Sequence, residues 1–282
     1  MKFELVDSLS LPGHREKANE DAFGYRDCAA VVLDGATGLG ERLLPGPSDA
    51  AWLARFGANR IMAYIADGAS VQEAVTAALF DAETSFASLR RRAPSERYEI
   101  PYASLMLANA SGGAVEFAWY GDCAALIARP GEKTEIVGDA LDKRAREATR
   151  VRSLAQSKGE TAASASVREI YLPALRAARN MVNTDAGGYL FGPDVTAADH
   201  LRTQICALPA GTHLLLVTDG FLALVSDYAH CDADTLVRDA LCEGLEALTD
   251  KLREIEDADP DGKAFPRFKQ SDDATAVLVR VV

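Results

Sequence analysis

The stretch Val31-Val32-Leu33-Asp34-Gly35-Ala36-Thr37-Gly38-Leu39-Gly40-Glu41 is apolar up to an aspartate and glycine-rich beyond it. That aspartate can serve a turn, a phosphate cradle or a metal ion. Asp-Gly is the commonest two-residue hairpin signal, because both central positions tolerate positive φ. A hairpin needs its second strand at once, yet Leu44-Pro45-Gly46-Pro47 follows and Ser48-Asp49 opens a helix-like run. A phosphate cradle needs glycines where backbone N–H groups approach the anion. Gly35 and Gly40 have P-loop spacing, but Glu41 and Arg42 stand where Lys and Ser or Thr belong, and a glutamate there repels phosphate. The dinucleotide pattern fails as well, with Leu43 in the place of its third glycine.

The chain around this stretch has 282 residues, enough to bury a substantial core, and is expected to form one domain over residues 1–282. Hydrophobic residues make up 48% and charged ones 26%, which excludes a disordered chain. A net charge of −12 without a basic stripe argues against a nucleic-acid partner. Acidic residues interrupt the apolar run Met1 to Asp7, so no signal peptide is expected, and no segment is long enough to span a bilayer. The expected location is cytoplasmic, with no membrane partner. Cys28, Cys123, Cys206, Cys231 and Cys242 form no Cys-x-x-Cys pair and read as reduced thiols. His14, His200, His213 and His230 offer no close pair for zinc.

Residues 3–9 and 28–33 read as strands, the second a near-continuous apolar run suited to cover on both faces. Ser48-Asp49 and the capping box Ser70 to Glu73 each open a helix, so two helices follow in succession. Tyr102 to Val137 reads as an antiparallel meander with turns at Ser111-Gly112-Gly113 and Arg129-Pro130-Gly131. A charged, alanine-rich stretch from 141 to about 182, broken by the small polar run Ser157 to Ser166, suits a helical insertion or a flap. Strand His213 to Thr218, a helical region Ala233 to Ile255 and a last strand Ala274 to Val282 complete the order. Helices grouped between runs of strands predict an α+β fold, with two mainly antiparallel sheets stacked in α/β/β/α layers.

Acidic residues recur where these strands end or begin. Asp34 closes one apolar run, Asp122 and Asp219 close two others, Asp272-Asp273 opens the last strand, and Glu20-Asp21 opens another. Any one of them alone reads as a turn residue. Together they would repel one another unless a cation lay between them. Oxygen ligands without His or Cys select a hard ion, so Mg²⁺ or Mn²⁺ is expected, with a pair of ions roughly 3.5–4 Å apart suited to phosphate esters. No Gly-x-Ser-x-Gly elbow and no Asp-x-Asp pair at a strand end offers a protein nucleophile.

The blocks "NEDAFG" (19–24), "VVLDGATG" (31–38), "WYGDCAALI" (119–127), "LLLVTDGFLAL" (214–224) and "SDDATAVLV" (271–279) resemble, in order, the signatures of the metal-dependent protein phosphatases, the PPM or type 2C family. The resemblance covers nearly the whole chain and points to a bacterial-type member. It implies a sandwich with two or three Mn²⁺ or Mg²⁺ ions at one end of the sheets, acting on phosphoserine or phosphothreonine in proteins. By matching motifs, Asp34 would bridge two ions and the Gly35 carbonyl would contact one of them. Asp219 and Asp272 would complete the other site, with Asp273 beside them. Glu20 and Asp21 would serve the second-ion side, and Asp122 with Asp219 a third, looser ion. Residues 139–200 would take the place of the flap, which influences substrate choice. Two departures stand out. Glu16 occupies the position of the phosphate-gripping arginine, leaving Arg15 as its expected replacement, and Ala36 stands where many members carry a histidine. A small-molecule phosphomonoesterase, or an impaired pseudophosphatase acting as a binding module, shares this pattern. Retention of the metal-bearing acids counts against the second.

Overall fold

The computed structural model describes residues 1–141, 165–267 and 269–282, with 165–170 described by backbone alone. Among the described residues, ten strands form two five-stranded sheets in which every pairing is antiparallel. One sheet runs in the order β2 (Asp21–Arg26), β3 (Ala29–Gly35), β4 (Ala103–Ser111), β5 (Ala114–Tyr120) and β8 (Arg202–Cys206). The other runs β1 (Phe3–Leu11), β10 (Ala274–Val281), β9 (His213–Val217), β6 (Ala124–Ala128) and β7 (Glu135–Val137).

The unbroken apolar run of β3 follows from burial on both faces. Val31 and Leu33 pack outward against helices α1 (Asp49–Ala66) and α2 (Val71–Leu89), on Leu53, Ile61, Val75 and Leu79. Ala30 and Val32 point the other way, into the gap between the sheets, where they meet Leu214, Leu216, Val277 and Val279. The outer face of the second sheet, including Leu215, Val217 and Leu278, is covered by α4 (Asp219–Ser226), α5 (Ala233–Glu243) and α6 (Leu245–Ala258). Strand alternation therefore yields the expected α/β/β/α order, and it aims Asp34, in phase with Ala30 and Val32, into the end of the inter-sheet gap.

The helix starts are those the caps predict. The Ser48 hydroxyl accepts from the Ala51 N–H at 3.2 Å, and Ser70 and Glu73 cap each other reciprocally. Helix α3 (Ala165–Asn180) belongs to the expected insertion; of the expected polar break Ser157 to Ser166, residues 157–164 lie outside the described residues and the last two open the helix instead.

Other expectations need correction. The stretch Tyr102 to Val137 is not one meander, because the chain leaves β5 and enters β6 in the opposite sheet. The crossing turns on Gly121, whose φ of +72 favours glycine, and it carries Asp122 to the sheet ends. The helical region Ala233 to Ile255 is two helices, interrupted at Gly244 with φ of +87. Strand β8 and the short helix α4 were not expected. The sequence Arg202–Cys206 is an edge strand with mostly exposed side chains, so it lacks a clear apolar alternation. The five cysteines are unpaired, and no helix among the described residues is long and apolar enough to cross a membrane.

Candidate active site

Register builds the site before any side chain is considered. Asp21 on β2 lies directly opposite Asp34 on β3, which lies opposite Ser104 on β4. Cross-strand partners share a face, so the three form a row at one end of the sheet. Ser104 donates its hydroxyl to Asp122, which Gly121 delivers from the adjacent strand. A Cβ on Gly121 would collide with the Ser104 side chain, so that glycine is required for fit as well as for φ.

The second sheet adds Asp219 and Asp272. Asp219 starts α4 straight after β9, and Asp272 immediately precedes Asp273 and β10. Gly220 lets these segments touch: a Cβ there would run into the Asp273 carbonyl oxygen and stand 3.1 Å from the Asp272 Cβ. Gly35 has a similar duty, since its Cβ would lie 2.6 Å from the Glu20 carbonyl oxygen and 2.8 Å from that of Ala50. Close backbone approach at these two glycines brings the aspartates preceding them together.

Asp34, Asp122 and Asp219 each offer a carboxylate oxygen, and the three atoms lie within 4.8 Å of one another. They stand in a cleft of about 980 Å³ whose wall also includes Asp272, Trp119, Tyr189, Tyr228 and Phe265. Burial, then the charges of Asp219, Asp21, Asp272 and Asp122, push the Asp34 carboxyl well above the usual range. Asp21 lies beneath, only 3% exposed. One of its oxygens accepts from the Thr218 hydroxyl at 2.8 Å, tying the two sheets together, while Oδ1 is buried with no hydrogen-bond partner among the described residues. Burial lifts the Asp21 carboxyl well above its ordinary value, Thr218 pulls it back, and Asp272 and Asp273 add to the rise.

These features fit a hard divalent cation. A buried carboxylate oxygen left without a donor is costly, mutually repelling carboxylates are costly too, and one cation among them relieves both. The donor set is oxygen, as Mg²⁺ and Mn²⁺ prefer. Lys269 lies on this side of the cleft with its ammonium 2.5 Å from Asp272. Its burial lowers the ammonium's pKa, but attraction to Asp272, and to Asp34 and Asp219 beyond it, more than reverses the effect.

The other expected site residues stand apart from this cluster. Glu20 accepts from Thr37 at 2.6 Å and from Ser48, the α1 cap, at 2.5 Å, and it lines a separate small pocket behind β3. Asp273 accepts from the Gly13 N–H at 2.7 Å and the Glu20 N–H at 2.6 Å, pinning the loop before β2. Arg15 is exposed and is not part of the cleft wall. Sequence reasoning did not single out Thr218, Ser104, Gly121 or Gly220. Only Gly220 left a signal, repeating after Asp219 the Asp-Gly pair of residues 34–35.

Two stacked antiparallel sheets, covered by helices and ending in a carboxylate cluster, define a metal-dependent hydrolase scaffold. A family model described as Protein phosphatase 2C matches residues 13–255, so the chain belongs to the protein phosphatase 2C family. No curated protein matches it significantly in sequence. Among solved structures it is similar to the Mycobacterium tuberculosis serine/threonine phosphatase PstP/Ppp, at 16% identity and a TM-score of 0.59 over 100% of this chain and 99% of that one. It is also similar to the PPM Ser-Thr phosphatase MsPP of Mycobacterium smegmatis, at 15% identity and 0.56 over 99% and 100%. PppA of Pseudomonas aeruginosa matches at 16% and 0.51 over 100% and 99%. At such identities the likeness is one of fold.

Proposed function

We propose that the chain hydrolyses phosphoserine and phosphothreonine monoesters on proteins, in the cytoplasm, with Mn²⁺ or Mg²⁺ held by Asp34, Asp122 and Asp219 and supported by Asp21 and Asp272. The observation that carries this reading is the convergence of the three carboxylates within 4.8 Å in the cleft of a protein phosphatase 2C chain. The catalytic domain of PstP, similar in fold at a TM-score of 0.55, is known in complex with two manganese ions, which supports the choice of metal. When bound, such ions would screen the phosphate's charge and lower the pKa of water.

The chain's own residues set the geometry for that chemistry. Ser104 and Thr218 fix the orientations of Asp122 and Asp21. Gly35 and Gly220 allow the strand ends to converge. Glu20 and Asp273 hold the α1 cap and the loop before β2 in place. In the reaction the oxygen of water bonds to phosphorus as the ester P–O bond breaks. The serine or threonine oxygen leaves with a proton from that water, and the other product is orthophosphate. The cleft, about 980 Å³, is at the upper end of small-ligand sites and has room for a phosphorylated side chain with its peptide. Residues 1–282 act as one phosphatase domain in this reading; the described part of the insertion at 139–200 contributes Leu175, Ala178, Arg179 and Val182 to the cleft wall, and the insertion tunes substrate choice.

The test is hydrolysis of an aryl phosphate and of a phosphopeptide panel. Chelation should abolish both activities and Mn²⁺ should restore both. Turnover insensitive to chelator, or a phosphorylated side chain trapped during turnover, would overturn the reading. Turnover of the aryl phosphate alone would remove the protein substrate from it.

A further inference from the structure

A phosphate monoester entering this cleft meets a wall already rich in carboxylates, and the cleft's basic side chains are unequally committed. Among the described residues, four lysines and arginines line it: Arg179, Arg202, Arg267 and Lys269. Arg202 pairs with Asp139 and lies over the Trp119 ring, 5.4 Å from its centroid. Arg267 pairs with Asp259 at 2.9 Å and donates to the carbonyls of Gln270 and Phe265. Lys269 pairs with Asp272. Arg179 differs. Among the described residues the one hydrogen bond of its guanidinium is a long contact from Nη1 to the Ala36 carbonyl at 3.5 Å, and no carboxylate pairs with it.

Its position is fixed from behind. Arg176, one turn earlier on the same face of α3, donates from Nε to the Leu39 carbonyl at 2.8 Å and lies over the Tyr98 ring at 4.6 Å. Asn180 accepts the Tyr98 N–H at 2.8 Å, and Arg97 donates to the Val182 carbonyl at 3.0 Å just beyond the helix. The last turn of α3 is thereby clamped along the segment Ala36 to Leu39, and Arg179 reaches the cleft two residues beyond Asp34. Burial there lowers the guanidinium's pKa more than Tyr102, Glu20 and Asp34 raise it. An enclosed cation with too little compensation favours the arrival of an anion.

We propose that Arg179, reaching in from α3, is the residue that grips the substrate's phosphoryl group, a role the N-terminal loop does not fill because Glu16 and the exposed Arg15 lie outside the cleft wall. Its planar fork can donate two parallel N–H bonds to phosphate oxygens. The proposal rests on the phosphatase reading and ties phosphate recognition to the insertion, so the segment that borders the substrate also completes the phosphate site.

The experiment uses the full chain loaded with Mn²⁺ and compares wild type, Arg179→Met, Arg179→Lys and Arg15→Met. It measures aryl phosphate kinetics, inhibition and calorimetric binding by inorganic phosphate, Mn²⁺ stoichiometry and thermal midpoint. Arg179→Met is expected to weaken inorganic phosphate binding and raise KM by roughly 10–100-fold, the scale of a lost charge-assisted contact, with Mn²⁺ stoichiometry unchanged. Arg179→Lys should recover part of the loss, since it keeps the charge and loses the fork. Unchanged phosphate binding in Arg179→Met overturns the proposal. So does the same loss appearing in Arg15→Met instead, or a loss accompanied by a lower midpoint and depleted Mn²⁺ that lysine does not rescue. An inactive wild type would sink the phosphatase reading, while calorimetry with inorganic phosphate would still decide the role of Arg179.

Discussion

Replacing Asp34 by asparagine should move the stability of the metal-free chain and its turnover in opposite directions. In the metal-free cluster, Asp34 lies within 4.8 Å of both Asp122 and Asp219, measured between carboxylate oxygens. At an effective dielectric near 20, each fully charged pair at that separation costs about 3.5 kcal/mol. Part of this is already relieved, because burial, and then the same repulsion, raises the Asp34 pKa and lets the site take up a proton. The unrelieved remainder at pH 8 is about 1–3 kcal/mol. Asparagine keeps the shape and removes the charge, so Asp34→Asn should raise the unfolding free energy in chelator by that amount, read as a higher urea midpoint with an unchanged slope. An ordinary turn aspartate would shift stability by less than about 0.5 kcal/mol.

In the proposed reading the same substitution also removes a metal ligand. Calorimetry should find fewer or weaker Mn²⁺ sites, and kcat/KM should fall by at least about a hundredfold, roughly 2.7 kcal/mol of transition-state stabilisation. Sites that hold functional charges together are expected to trade stability for activity in this way. The reasoning is refuted if Asp34→Asn is no more stable than wild type in chelator, or if it retains near-normal turnover and metal stoichiometry.

Two further outcomes can be checked. Burial raises the Asp21 and Asp34 carboxyls above their ordinary 3.8, so the metal-free native state retains protons that the unfolded chain has released. Their contribution to stability is full below the ordinary value and is lost as pH rises toward the raised one. Asp259 and Glu99, held down to about 2, are ionised throughout the range from pH 5.5 to 8 and add no slope. His213, lowered by burial and by Arg280, opposes the trend below its ordinary 6.5 in every variant alike. Thermal midpoints in chelator should therefore change with pH less negatively in Asp34→Asn than in wild type, and identical slopes would contradict the assignment. Gly220→Ala drives a methyl into the Asp273 backbone and should cost more than about 2 kcal/mol while weakening Mn²⁺ binding. Gly38→Ala, with nothing within 4 Å of the added methyl and no positive φ, should stay within about 0.5 kcal/mol, so equal effects at the two glycines would dispose of the close-approach account.

The layer order was legible because its cause is local. An apolar run as unbroken as Ala29 to Leu33 suits a strand covered on both faces, and capping residues such as Ser48, Ser70 and Glu73 mark helix starts without tertiary information. The acids at strand ends were legible for the same reason. Their division into a cluster and its supports was not, because it depends on partners far away in the chain. Asp273 looks equivalent to Asp272 in sequence, yet its oxygens are engaged by N–H groups of residues 13 and 20. Glu20 looks equivalent to Asp21, but strand alternation sends it to the opposite side, where Ser48 and Thr37 hold it.

Arg179 gave no signal at all in the sequence, since an arginine in a charged, alanine-rich helix ordinarily reads as a solvated side chain. Its placement is set by Arg176 and Asn180, which anchor α3 to a loop about 140 residues earlier and to the Arg97–Glu99 turn. The five signature blocks contain the acids but neither α3 nor its anchors at Leu39 and Tyr98. A chain that retains the blocks can therefore change how it holds phosphate without altering any of them. In the proposed reading the motif positions hold the metal, while the phosphate grip is sought among the cleft's described basic groups by asking which one lacks a carboxylate among the described residues.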